Sequence, residues 1–179
     1  GIVLFIDEAY PLNTGAGDKA DFGNRVIECL LTVLAQPNPD MIIIMAGYQN
    51  EMDKMLDSNP GLRGRFTHYL HFEDYCSEEL QEIAQMRIAS RGLKLSLSAN
   101  ETLADAIGKT LRDKTNGFAN ARWVEQFADK AICHTANRVL ASHLFTQDYL
   151  VTITSEDIEA AYNELTIGNN YAKPKIGFA

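Results

Sequence analysis

The chain has 179 residues, 46% of them hydrophobic and 22% charged, with a formal net charge of −8 at pH 7. That length allows one large domain or two small ones around a real core, and the composition is that of an ordinary soluble globular protein. The acidic balance argues against a broad nucleic-acid surface, no apolar run approaches the length of a membrane span, and three scattered cysteines make neither a disulfide framework nor a zinc site.

Residues 2–6 are five consecutive apolar residues, three of them Ile or Val. They predict a short strand buried on both faces, as in a parallel sheet covered by helices. The strand releases Asp7 and Glu8 at its C-terminal end, where open α/β sheets bind ligands. This is the Walker B pattern of nucleotide hydrolases. Its first acid holds Mg²⁺, usually through water, and its second polarises the water that attacks the γ-phosphate. The same residues can also be a solvated strand end or a helix cap. A turn-rich loop follows over residues 11–18. Phe22, Val26, Ile27, Leu30, Leu31 and Leu34 then recur at helical spacing and predict an amphipathic helix that stops before Pro37 and Pro39. Residues 41–46 read as a second buried strand, ended by Gly47-Tyr48-Gln49-Asn50. After it come a short helix near residues 51–56, a turn at Asn59-Pro60-Gly61, and a weaker third strand over residues 67–72.

From Ser77 onward the pattern is helical only. Ser77 caps a helix running to about Arg91, with Glu78 and Glu79 in its first turn. Ser98 and Glu101 have capping-box spacing for the next helix, whose face carries Leu103, Ile107 and Leu111. Asn120 caps a long helix with the stripe Val124, Phe127, Ala128, Ala131, Ile132, Thr135 and Val139. Residues 149–154 read as extended, and Ser155 opens a last helix to about Leu165. The reading is therefore α/β over residues 1–75, all-α with four helices over residues 76–165, and a tail or linker over residues 166–179.

Three stretches, GIVLFIDEAYPL, MIIIMAGYQNEMDKMLDSNPGLRGRF and GFANARWVEQFADKA, occur in that order. Together they resemble the AAA+ ATPases from Walker B to the end of the helical lid. The nearest likeness is the group of the red-type Rubisco activase CbbX and the stage V sporulation protein K. The resemblance spans nearly the whole chain. It implies the fold class of a partial P-loop NTPase (AAA+) parallel sheet followed by a four-helix lid, and a ring, as a hexamer, with ATP and Mg²⁺ as ligands.

By this resemblance Asp7 is the acid on the Mg²⁺ side and Glu8 the water-activating carboxylate. Tyr48 falls where many members carry the sensor-1 asparagine; it is either a hydroxyl donor there or a packing residue, and Asn50 is a weaker candidate. Arg63 and Arg65 fall in the arginine-finger segment. A permanently charged, planar guanidinium offers paired donors to the γ-phosphate of a neighbouring subunit, and Arg65 is the first choice. Arg122 corresponds to sensor 2. It lies in a helix's first turn, where backbone N–H groups and the positive helix end favour an anion.

No G-x-x-x-x-G-K-[ST] occurs in the sequence, so the backbone cradle and lysine that hold the β- and γ-phosphates are not in it. The chain, which starts with Gly directly before a strand, therefore reads as the C-terminal portion of an AAA+ module and is expected to be inactive alone. The parent is expected to be a cytoplasmic ATPase that remodels or activates a protein partner, with no nucleic acid and no membrane. The alternative is a nucleotide-responsive regulatory or scaffold module without turnover. In the implied fold the P-loop strand lies between the strands at residues 41–46 and 67–72. Without it, the third strand is expected to close onto the second or to find its partner on another chain.

Overall fold

Two parallel strands, β1 (Ile2–Ile6) and β2 (Met41–Met45), pair in register from Ile2 opposite Met41 to Ile6 opposite Met45. They belong to the first of two units, Gly1–Phe72 and Glu73–Ala179, in a computed structural model that describes residues 1–13, 18–37, 39–113, 119–142 and 146–170. Between the strands run a 3₁₀ helix (Tyr10–Asn13) and α1 (Asp18–Leu34); α2 (Gln49–Ser58) and α3 (Pro60–Arg63) follow β2. The core of this unit is Ala9, Ile27, Met55, Leu56 and Leu62, with Ile6, Leu12, Leu31, Met45 and Phe66 packed against it. Gly23 lets α1 approach the 3₁₀ helix: a Cβ there would stand 2.0 Å from the Leu12 carbonyl oxygen, which no side chain tolerates. Asn59 caps α3 by accepting the Gly61 N–H at 3.0 Å, so the expected turn at Asn59-Pro60-Gly61 opens a helical turn instead.

Two expectations for the sheet fail. The strands are covered on one face only; Val3, Phe5, Ile42 and Ile44, side by side in the parallel register, remain exposed. An unbroken apolar run allows burial on both faces, and this unit buries only one of them. Residues 67–72 form no strand and pair with neither β1 nor β2, which disposes of the closure of a third strand onto the second. Leu70 and Phe72 are each 86% exposed. Strand propensity reports fitness for a pleated, half-buried surface and creates no strand without a neighbour to pair with.

The second unit packs α4 (Ser77–Ser90), α5 (Leu97–Arg112), α6 (Ala121–Ser142) and α8 (Ser155–Asn170) around Leu80, Ile88, Leu103, Ile107, Val124, Phe127 and Ile158. The predicted stripe of α6 is buried at Val124, Phe127, Ala128, Ala131, Thr135 and Val139. The unit is not helical throughout. Lys94–Leu95 (β3) pairs in parallel with Thr152–Ile153 (β4), and α7 (Gln147–Val151) stands where an extended segment was expected. Two-residue strands are too short to leave a period in the sequence. Helix starts also shift. Cys76 rather than Ser77 is the cap of α4, its N–H donating to Glu79 Oε2 at 2.8 Å. Ser96 rather than Ser98 caps α5, its hydroxyl accepting the Ala99 N–H at 3.1 Å. The last helix runs past Leu165 to Asn170.

Three ionic ties hold these helices. Arg87 of α4 grips Asp129 of α6 through two parallel bonds, Nε to Oδ1 at 3.0 Å and Nη2 to Oδ2 at 2.8 Å. Lys130 and His134 of α6 both meet Glu164 of α8. Asp157, only 3% exposed, accepts from Arg138 Nε, the Thr135 and Thr154 hydroxyls and the Thr154 N–H. Burial alone would raise its pKa, but these donors outweigh it and hold the carboxyl below the usual range. Among the described residues no helix is long and apolar enough to cross a membrane.

Candidate functional site

The first unit presents its charged groups at the C-terminal ends of its strands. β1 ends at Ile6, and Asp7 and Glu8 form a turn in which Asp7 Oδ1 accepts the Glu8 N–H at 3.0 Å. Glu8 has φ of +48°, a left-handed conformation seldom adopted by a residue with a long side chain and a marker of local strain. The chain then turns back onto the sheet: Ala46 N–H donates to Ile6 O at 2.9 Å and Ala9 N–H to Ala46 O at 3.0 Å. The two strand ends are thereby stitched together, with both carboxylates left in solvent. Among the described residues, no lysine or arginine pairs with Glu8.

Tyr48 occupies the N-cap position of α2, and its carbonyl accepts from the Glu51 and Met52 N–H groups at 3.0 and 2.9 Å. The residue is 69% exposed. The ring lies 6.3 Å from that of Tyr10, the residue the sequence did not single out. Tyr10 sits two positions after Glu8, at the start of the 3₁₀ helix. Its phenol is raised above its ordinary pKa, first by burial and then by the charges of Glu8, Tyr48 and Glu51. Asn50 is exposed in the first turn of α2. The fold thus collects Asp7, Glu8, Tyr10 and Tyr48 at one end of the sheet.

The two finger candidates differ. Arg63, the last residue of α3, gives Nη2 to Asp57 Oδ1 at 2.7 Å and approaches Asp53 Oδ1 at 3.6 Å. Arg65 donates only Nη1, to the Gly61 carbonyl at 3.1 Å, and meets no carboxylate among the described residues. Arg63 is already neutralised by its own unit, whereas Arg65 keeps its charge available. Asp53 and Asp57 lie four residues apart, one turn, on α2 and so face Arg63 together.

In the second unit, Arg122 lies in the first turn of α6, and its guanidinium has no partner among the described residues. Asn120 just before it has φ of +46°, and its carbonyl accepts from the Trp123 and Val124 N–H groups. Gly117 and Phe118 of the same motif lie outside the described residues. Among the described residues no cluster of three or more His, Cys, Asp or Glu could hold a metal ion. Mg²⁺ held by one or two carboxylates, phosphates and water needs no such cluster, and the exposed hard-oxygen donor of Asp7 suits it.

The AAA lid domain family matches residues 77–167 of this chain, the four-helix unit almost entire. The chain belongs to the AAA+ family. It is 40% identical over 160 residues to the protein CfxQ homolog of Trieres chinensis, covering 88% of this chain and 54% of the relative. It is 38% identical over 163 residues to the protein CbbX of Cereibacter sphaeroides, covering 90% of this chain and 52% of the relative. The chain thus spans about half the length of the curated relatives it matches. Among solved structures, a RuvB mutant of Thermotoga maritima superposes with a TM-score of 0.61 at 16% identity, covering 96% of this chain and 47% of the other. The FIGL-1 AAA domain superposes with a TM-score of 0.58 at 17% identity, covering 90% of this chain and 50% of the other. Likeness at that identity is a likeness of fold, a partial AAA+ sheet with a helical lid.

Proposed function

We propose that the full-length protein containing this chain is a ring-forming ATPase that couples ATP hydrolysis to remodelling or activation of a protein partner. The observation that carries this reading is the pair Asp7 and Glu8, presented to solvent at the end of a parallel strand pair in a chain with an AAA lid. A carboxylate without a cationic partner is free to accept a proton from, or orient, an attacking water.

In this reading Glu8 polarises the water and Asp7 holds Mg²⁺ through its hydration shell. The ion, when bound, offsets phosphate charge. Tyr48 offers a hydroxyl near the same strand end, with Asn50 as a lesser donor. Arg65 is the finger that acts on nucleotide held by the next subunit, and Arg63 holds its segment against α2. Arg122 meets the nucleotide from the lid. The domains are residues 1–75 and 76–165, the ring is a hexamer, and the protein works in the cytoplasm. Tyr48, standing where an asparagine is usual, favours the second reading, a regulatory module that binds nucleotide without turnover.

Replacing Glu8→Gln in the full-length protein decides between them. The amide cannot act as a base, so ATP binding is retained and turnover is lost. Steady turnover near the parental rate would remove Glu8 from this role, and a parental protein that binds ATP without turnover would establish the regulatory reading.

A further inference from the structure

Among the described residues, two that carry a Cβ have a left-handed backbone: Glu8, at φ of +48°, and Asn120, at +46°. Conformations of this kind collect at functional sites. Asn120 stands two residues before Arg122. Its place suggested a side-chain cap for α6, and it is not one: Oδ1 and Nδ2 are both sealed from solvent and bond to nothing. A capping side chain would accept from the second or third N–H of the helix. Here the Arg122 N–H goes to the Ala119 carbonyl at 3.0 Å, and the Trp123 N–H to the Asn120 carbonyl at 3.1 Å. A buried amide without partners costs stability and adds none. What the position uses is therefore its backbone conformation, which asparagine adopts more readily than most residues with a Cβ.

That conformation ties Arg122 from both sides. The bond from the Arg122 N–H to the Ala119 carbonyl closes a tight turn over residues 119–122, and a positive φ at the second residue of such a turn is a place for Gly or Asn. On the other side Trp123 and Val124 are buried in the core of the unit, and their N–H groups hold the Asn120 carbonyl. Arg122 alone in this stretch is left exposed, its guanidinium without a partner among the described residues. We propose that Asn120 is a positioning residue for Arg122: its left-handed turn sets the direction in which the first turn of α6 presents the guanidinium, and its amide takes no part. With a negative φ at residue 120 the turn opens, and Arg122 is free to swing while Trp123 and Val124 stay in the core. The inference rests on the assignment of Arg122 to the nucleotide.

The test is kcat/KM for ATP in the full-length protein carrying Asn120→Gly, Asn120→Ala, Arg122→Ala, or the last two together. Glycine and alanine both remove the amide and differ by one methyl group, but only glycine takes a positive φ at no steric cost. Asn120→Gly should stay within about twofold of the parent, and Asn120→Ala should lose about tenfold. In the Arg122→Ala background Asn120→Ala should cause no further loss, because the group it aims is gone. Equal losses in the glycine and alanine variants would assign the effect to the amide and overturn the inference, as would parental values in both. A loss from Asn120→Ala that persists undiminished without Arg122 would reduce Asn120 to a structural residue and also overturn it. Parental kcat/KM in Arg122→Ala removes the premise itself.

Discussion

Two arginines separated by one glycine show how much a local partner decides. Arg63 and Arg65 have the same charge, and both are exposed. Arg63 ends a helical turn that faces α2, so Asp57 and Asp53 neutralise it within its own unit. Arg65 lies past Gly64 and spends one donor on a backbone carbonyl. The remaining donors keep the fork geometry that suits a phosphate. In the full-length protein Arg65→Ala should therefore reduce ATP turnover by ~10³ or more, with little change in nucleotide affinity of a single subunit. Arg63→Ala should cost far less turnover and show mainly as loosening of α3 in hydrogen exchange. The reverse ranking in steady-state assays would exchange their roles. These candidates could be named from the sequence because Walker B and the finger segment are short, contiguous motifs. The division of labour between Arg63 and Arg65 was not, since it depends on which way a four-residue helix points its last side chain.

At the scale of elements, α6 is the piece that holds the second unit together. It meets α4 through Arg87–Asp129 and α8 through Arg138–Asp157. The second pair is the costly one to disturb, because Asp157 is buried and Arg138 also donates to the Thr152 carbonyl at 2.8 Å and stacks on Tyr149 at 4.5 Å. Asp157→Asn leaves a mostly buried guanidinium without its counter-charge, a loss of roughly 3 kcal/mol. Urea unfolding of the chain should show it, together with faster amide exchange in α6 and α8. The pH dependence has a definite sign. Asp157 and Asp129 are both held below the usual carboxylate range, Asp129 chiefly by its bond to Arg87. Their contribution is complete above that range and is lost as the pH falls below about 4, through their folded-state values. Stability of the second unit that stayed constant from pH 5 to strongly acidic conditions would contradict this. Long elements such as α1 and α6 were readable from apolar period alone. The caps slipped by one or two residues because Cys76, Ser77, Ser96 and Ser98 all lie near helix starts, and only backbone geometry selects among them. The strand pair β3–β4 and the unpaired residues 67–72 depend on partners far away in sequence, which no local pattern encodes.

Over the whole molecule, the residues proposed for turnover are divided between two units: Asp7, Glu8, Tyr48 and Arg65 in Gly1–Phe72, and Arg122 in Glu73–Ala179. The sequence has no Walker A loop, and the chain spans about half of its CfxQ and CbbX relatives. In the function proposed above, turnover belongs to the full-length protein and to its neighbours in a ring. A finger that acts in trans predicts that two different inactive subunits can repair each other, which no single-subunit mechanism allows. The decisive measurement is ATPase activity of mixed rings made from full-length Glu8→Gln and Arg65→Ala subunits, each inactive alone. Where a subunit with intact Glu8 receives Arg65 from its neighbour, an interface is complete, so activity should reappear on mixing and peak at intermediate ratios. Rings that assemble from both subunits and stay inactive at every ratio would contradict the account.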